Sequence, residues 1–172
     1  MIASAERLRE QAHELALTHQ PFYARTPSVR FRRRAEADVR AIQRYLEDMA
    51  GCRDSCAEPA EEWLRDHAEF ILEQTELAAD SIRETKLGRL PRLRGSREYR
   101  MIALCEAFLD LTDGELDWEA FRLFLNAYQE IAVLTMAEIW MMPVGLRCGL
   151  IRRLRTLMEA IGERRGGCAS VE

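Results

Sequence analysis

The chain has 172 residues, a length that suits one domain with a real apolar core. Hydrophobic residues make up 48% and charged residues 31%, too apolar for disorder, and a net charge of −4 exerts no global pull towards nucleic acid or anionic lipid. Leu, Ala, Glu and Arg outnumber Val, Ile and Thr, and Gly and Pro are sparse, so the composition disfavours a β-rich fold and predicts an all-α one.

The first helix is expected over residues 4–19, where Leu8, Ala12, Leu15 and Ala16 recur at three and four, the spacing of one buried stripe. The opening MIASAERLRE is polar and amphipathic and does not read as a secretory signal. With an odd five cysteines, a reducing, cytoplasmic setting is expected. Pro21 and Pro27 bracket the helix exit, and QPFYARTPSVRFRRR (20–34) reads as a basic, aromatic connection. Arg30, Arg32, Arg33 and Arg34 suit a phosphate or nucleic-acid contact, but no binding motif accompanies them. A solvated cluster paired with Glu36 and Asp38 is the favoured reading.

A second helix carries Val39, Ile42, Leu46 and Met49 inward and ends near Gly51, a residue suited to a left-handed cap. Cys52 and Cys56 would share a helix face, yet no His or Cys lies near at ligand spacing, so no metal site is expected. Glu58-Pro59 opens a third helix, with Glu58, Glu61 and Glu62 placed against the positive end of its dipole. Trp63, Phe70, Ile71, Leu77, Ala78 and Ile82 are assigned to its apolar side, with His67 as a hydrogen-bonded core residue beside Gln74. The helix fades around Lys86-Leu87-Gly88.

GRLPRLRGSRE (88–98) is a connector whose Arg89, Arg92, Arg94 and Arg97 are again read as solvated. The fourth helix covers 99–111, with Ile102, Cys105, Phe108 and Leu109 inward; Cys105 and Cys148 are taken as reduced core thiols. Thr112-Asp113-Gly114 signals a turn, and Asp117 is placed to cap a fifth helix with Phe121, Phe124, Leu125 and Tyr128 inward.

The run IAVLTMAEIWMMPVGLRCGLI (131–151) is apolar on every side of a helical wheel, so it needs burial all round, in lipid or in a bundle. Thr135-x-x-Glu138 has the form of a capping box and starts a sixth helix inside the run, reaching about Gly162. Glu138 and Arg147 fall about half a turn out of phase and cannot pair along one face, which makes a membrane span costly. The expected fold is therefore a single bundle of about six helices over 1–162, around a central C-terminal helix kinked near Pro143, with 163–172 as a flexible tail.

No Gly-rich phosphate loop, zinc-protease pair or nucleophile elbow is found, so no catalytic, cofactor-binding or metal residues are assigned. Carboxylates lie at i, i+4 offsets to arginines on predicted solvent faces. No basic recognition helix stands out, which disfavours nucleic acid as a partner.

Four segments carry a likeness: PAEEWLRDHAEFILEQ (59–74), RLPRL (89–93), DLTDGELDWEAFRLFLNAYQ (110–129) and LTMAEIWMMPVGLRCGLIRRLR (134–155). Their order and spacing, with ALTHQ near residue 16 and RFRRR, resemble the helical region preceding the glycosyltransferase domain of cyclic β-1,2-glucan synthases. The chain departs from that pattern at His67 (commonly Asn), Leu72 (commonly acidic) and Ala137 (commonly Gly), and its connector at 83–95 is shorter. It contains neither the family's transferase nor its phosphorylase-like sequence.

The resemblance implies a non-catalytic scaffold, part of such a membrane-associated synthase, that contacts other domains. The alternative is a stand-alone binder of glucan or of a protein partner, and an adaptor unrelated to sugar is a third reading. Under the resemblance Trp63, Tyr99, Tyr128 and Trp140 are candidate glucan or partner contacts, against the alternative that all four are core. Asp66, Thr135, Glu138 and Arg147 are expected as structural polar residues, with Asp66 as the partner of Arg147.

Overall fold

A computed structural model describes residues 4–26, 28–51, 59–84 and 87–168, with the side chains of 89 and 164–168 outside that description. The chain is all-α. The described elements are α1 (Ala5–Thr18), β1 (Pro21–Phe22), α2 (Val29–Gly51), α3 (Pro59–Asp66), α4 (Ala68–Glu84), a 3-10 turn (Leu87–Arg89), β2 (Arg92–Leu93), α5 (Arg100–Leu111), α6 (Trp118–Gln129) and α7 (Met136–Cys168). They cluster in two compact units: unit 1 is Met1–Val29 with Lys86–Leu150, and unit 2 is Arg30–Thr85 with Ile151–Glu172.

Unit 1 starts with a capped helix: the Ser4 hydroxyl accepts from the Arg7 amide at 3.3 Å, and Leu8, Ala12 and Ala16 form the buried stripe of α1. Pro21 then ends helical continuation, and β1 pairs antiparallel with β2, Pro21 opposite Leu93 and Phe22 opposite Arg92. α5 stops at Thr112 because Asp113 (φ 53°) and Gly114 (φ 83°) turn left-handed, and the Gly114 amide donates back to the Leu109 carbonyl at 2.8 Å. Asp117 caps α6, accepting from the Ala120 amide at 2.7 Å. Phe108 meets Phe121 edge-on at 4.9 Å, and Phe124, Leu104 and Tyr128 fill the core around them.

Two glycines let α7 lie close to α5. A Cβ at Gly149 would stand 2.5 Å from Leu109 Cδ1, and one at Gly145 2.9 Å from Cys105 Sγ. This close approach places the first turn of α7 beside the first turn of α5.

Unit 2 packs Val39, Ile42, Leu46 and Met49 of α2 with Leu64 of α3, Ile71 and Ala78 of α4, and Ile151 and Met158 of α7. Each recurs at three, four or seven, so the helical period carries this core. Asp38 is buried on α2 and accepts from Arg155 Nη1 at 2.6 Å, while Arg155 Nε reaches Glu159 at 2.8 Å.

Three expectations are corrected. The stretch 30–34 is not part of a connection but lies in the first turns of α2, where Phe31 is buried. The third helix is two, α3 and α4, with a turn at His67, and Trp63, Phe70 and Leu77 are exposed rather than core. α7 continues past Gly162 to Cys168, through most of the stretch expected to be a tail; residues 169–172 lie outside the described residues.

The expectation that 131–151 is buried all round is corrected as well: Ile131, Val133, Met136 and Trp140 are exposed. In unit 1, α7 buries Glu138, Met142, Gly145 and Gly149; in unit 2 it buries Ile151 and Met158. Among the described residues no helix is long and apolar enough to cross a membrane.

Candidate functional site

The densest buried polar group in unit 1 forms where the capping box of α7 meets α5. The box is made as expected: the Glu138 amide donates to Thr135 Oγ1 at 3.3 Å, and Glu138 Oε2 accepts from the Thr135 amide at 2.9 Å. Oε2 also accepts from the Thr135 hydroxyl at 2.9 Å. The partner of Glu138 is Arg100, which the sequence reading did not single out. Arg100 Nε donates to Oε1 at 2.7 Å and Nη2 to Oε2 at 2.6 Å, a two-pronged pair with both side chains buried. Nη2 also donates to the Val133 carbonyl at 3.1 Å.

Tyr128 and His19 extend this group. His19 Nδ1 lies 3.0 Å from Tyr128 Oη, with the two rings tilted and their centroids 5.7 Å apart. Burial, then the charge of Arg100, holds the His19 imidazole below its usual pKa, so its neutral form is favoured. Burial also pushes the Tyr128 phenol up, against the opposing pull of Arg100. Burial alone would lower Arg100, but the hydrogen bond and charge of Glu138 outweigh it and raise the guanidinium pKa. Near neutrality these shifts leave His19 and Tyr128 neutral and Arg100 charged. Both Glu138 oxygens are engaged by donors, so the carboxylate serves to fix α7 on α5.

The remaining candidates separate by burial. Tyr99 is fully buried: it precedes α5, its hydroxyl accepts from the Ser28 amide at 2.7 Å, and Arg92 lies over its ring at 5.4 Å. Tyr128 is fully buried too. Neither tyrosine offers a face on which a sugar could stack, so as surface contacts both are corrected. Trp63 (53% exposed) and Trp140 (76%) are at the surface, in unit 2 and unit 1 respectively. His67 is also exposed rather than core; Nδ1 lies 2.8 Å from the Trp63 carbonyl, and its ring stacks on the indole at 4.2 Å. Asp66 is exposed on α3, and Arg147 is half-buried on α7.

Arg92 is a framework residue, donating to the Thr26 carbonyl, whereas Arg94 and Arg97 are exposed. Cys105 and Cys148 are free thiols, and burial pushes the Cys105 thiol far up, which suppresses its nucleophilicity. Among the described residues no three His, Cys, Asp or Glu side chains group as a metal site; Cys52 and Cys56 lie outside those residues.

Sequence reasoning found Thr135 and Glu138 because a capping box is local. It missed Arg100, His19 and the Asp38–Arg155 pair because their partners are distant in the chain. A signal for Arg100 is its place at the start of α5, directly before the apolar run Met101–Cys105. No known protein family matches the chain, and no curated protein does.

Proposed function

We propose that the chain is a non-catalytic helical scaffold of the kind preceding the glycosyltransferase domain in cyclic β-1,2-glucan synthases, working on the cytoplasmic side as part of such a protein. The observation that supports this reading is the way the LTMAEIW segment is used. Thr135 and Glu138 join the start of α7 to α5, while Trp140 of the same segment remains at the surface. A segment whose polar residues hold helices together and whose tryptophan faces outward suits a module that positions a neighbour. Reading the gene onward from codon 172 tests it. Transferase sequence in frame supports the reading, and a stop codon followed by an unrelated gene counts against it.

A stand-alone binder is the second reading, favoured by the exposure of both Trp63 and Trp140. Calorimetric titration with β-1,2-glucan tests it, with Trp63→Ala and Trp140→Ala as controls. Heat that disappears with either substitution supports sugar binding at that tryptophan. A flat trace at millimolar sugar removes glucan as the ligand.

A further inference from the structure

We propose that the exposed face of α3 and α4, where Trp63, Phe70 and Leu77 run beside a row of carboxylates, docks a basic amphipathic helix of a partner protein. The proposal stands on the surface of unit 2 alone and does not depend on the glucan-synthase reading.

Trp63, Phe70 and Leu77 recur every seven residues, about two helical turns, which puts them in one line. The turn at His67 does not break that line: the His67 amide donates to the Trp63 carbonyl at 3.1 Å and the Ile71 amide to the His67 carbonyl at 2.9 Å. Leu64, Ile71, Ala78 and Ile82 form a separate, buried stripe, so these helices have two apolar faces and unit 2 uses one. The other is left open, with Phe70 60% and Leu77 44% exposed. The indole of Trp63 is held flat against His67 at an interplanar angle of 17°, which fixes one end of the stripe before any partner arrives.

Charge selects the occupant. Between Arg65 and Arg83 the chain has five carboxylates and no lysine or arginine. Asp66, Glu69 and Glu73 are exposed and border the stripe on one side, with no ion pair to any of them among the described residues. Such a surface repels nucleic acid and anionic lipid, and a second copy of the same face would set carboxylates against carboxylates. A helix with an apolar stripe and lysines or arginines along its edge complements both features at once. From Trp63 to Leu77 the stripe spans about 21 Å at ~1.5 Å per residue, a fit for a partner helix of four turns.

The test is fluorescence anisotropy at about 50 mM salt, where surface charge is weakly screened. The probe is a labelled peptide of about 18 residues, long enough for five turns, with leucines on one helical face and lysines elsewhere. The expected result is micromolar binding with a gain of peptide helicity by circular dichroism. A scrambled peptide of the same composition, and the Phe70→Ser and Glu69→Lys/Glu73→Lys proteins, should each bind at least ~10-fold more weakly, the usual effect of losing a central anchor or reversing a charge. These positions are exposed, and unchanged far-UV dichroism of the variants confirms that they fold. Equal binding of the scrambled peptide overturns the proposal, leaving general charge attraction only. Undiminished binding by Phe70→Ser, or no binding of the helical peptide at all, overturns it as well. So does concentration-dependent self-association that Phe70→Ser abolishes, which would make the face an interface between copies.

Discussion

In each unit an arginine–carboxylate pair ties α7 to an earlier helix, and the two ties are built differently. In unit 1 Arg100 grips Glu138 through two bonds, both side chains are buried, and Glu138 takes further bonds from Thr135. In unit 2 Asp38 is buried but Arg155 is about a third exposed and already holds Glu159 as a second partner. The difference lies in what survives the loss of one member. Removing Arg100 or Glu138 strands a charge away from water, whereas an Arg155 without Asp38 turns to solvent or to Glu159.

The largest expected effect tests the first half of that comparison. Arg100→Met should destabilise by about 3–5 kcal/mol, the usual consequence of breaking a buried pair on one side, read by urea denaturation. Arg100→Met/Glu138→Met should lose much less than the two single substitutions together, because neither charge is then left alone. A strictly additive double variant would mean that the two groups do not act as a pair.

A second, smaller effect concerns the close approach that brings Arg100 to Glu138. Gly149→Ala should cost about 1–3 kcal/mol, since its Cβ would stand 2.5 Å from Leu109 Cδ1 and Leu109 is fully buried. In unit 2 the matching substitution, Gly162→Ala, meets only Tyr45 Cε2 at 3.3 Å. Tyr45 is half-buried and can shift, so the better helix propensity of Ala should leave this variant neutral or more stable by up to ~1 kcal/mol. Equal losses at the two glycines would show that helix spacing is not what distinguishes them.

Asp38→Asn comes third, at about 1 kcal/mol, since a hydrogen bond to Arg155 can remain and the guanidinium keeps both Glu159 and water. A loss as large as that of Arg100→Met would erase the contrast between the two ties.

What the sequence made legible was local. Ser4, Asp117 and the Thr135–Glu138 box could be read as helix starts because each cap bonds within three residues. The stripes Leu8–Ala12–Ala16 and Ile71–Ala78–Ile82 followed from the helical period. The period cannot say which of two stripes on α3 and α4 faces inward, and Trp63, Phe70 and Leu77 lie on the outward one. Nor can it say that Ile131, Val133, Met136 and Trp140 of the apolar run stay at the surface. Arg100 and Glu138 are 38 residues apart, and nothing short of the α5–α7 approach brings them together. The helix through 30–34 was more accessible, because arginine is a good helix former and Phe31 anticipates the spacing of Ala35, Asp38 and Ile42.

The smallest effect concerns pH and separates the units again, because His19 belongs to the buried group of unit 1. Burial and Arg100 hold its folded pKa below the ordinary value, so the unfolded chain takes up a proton first as pH falls. Stability should therefore be insensitive to His19 above about pH 6.5, the unfolded value, and decline below it until the folded imidazole also protonates. A proton there would add positive charge beside Arg100. His19→Gln keeps a polar group at this site without a titration. Between pH 7.5 and pH 5.5, above the range where ordinary carboxylates protonate at about 4, the unsubstituted protein should lose more stability than His19→Gln. Identical losses would place the pH dependence elsewhere.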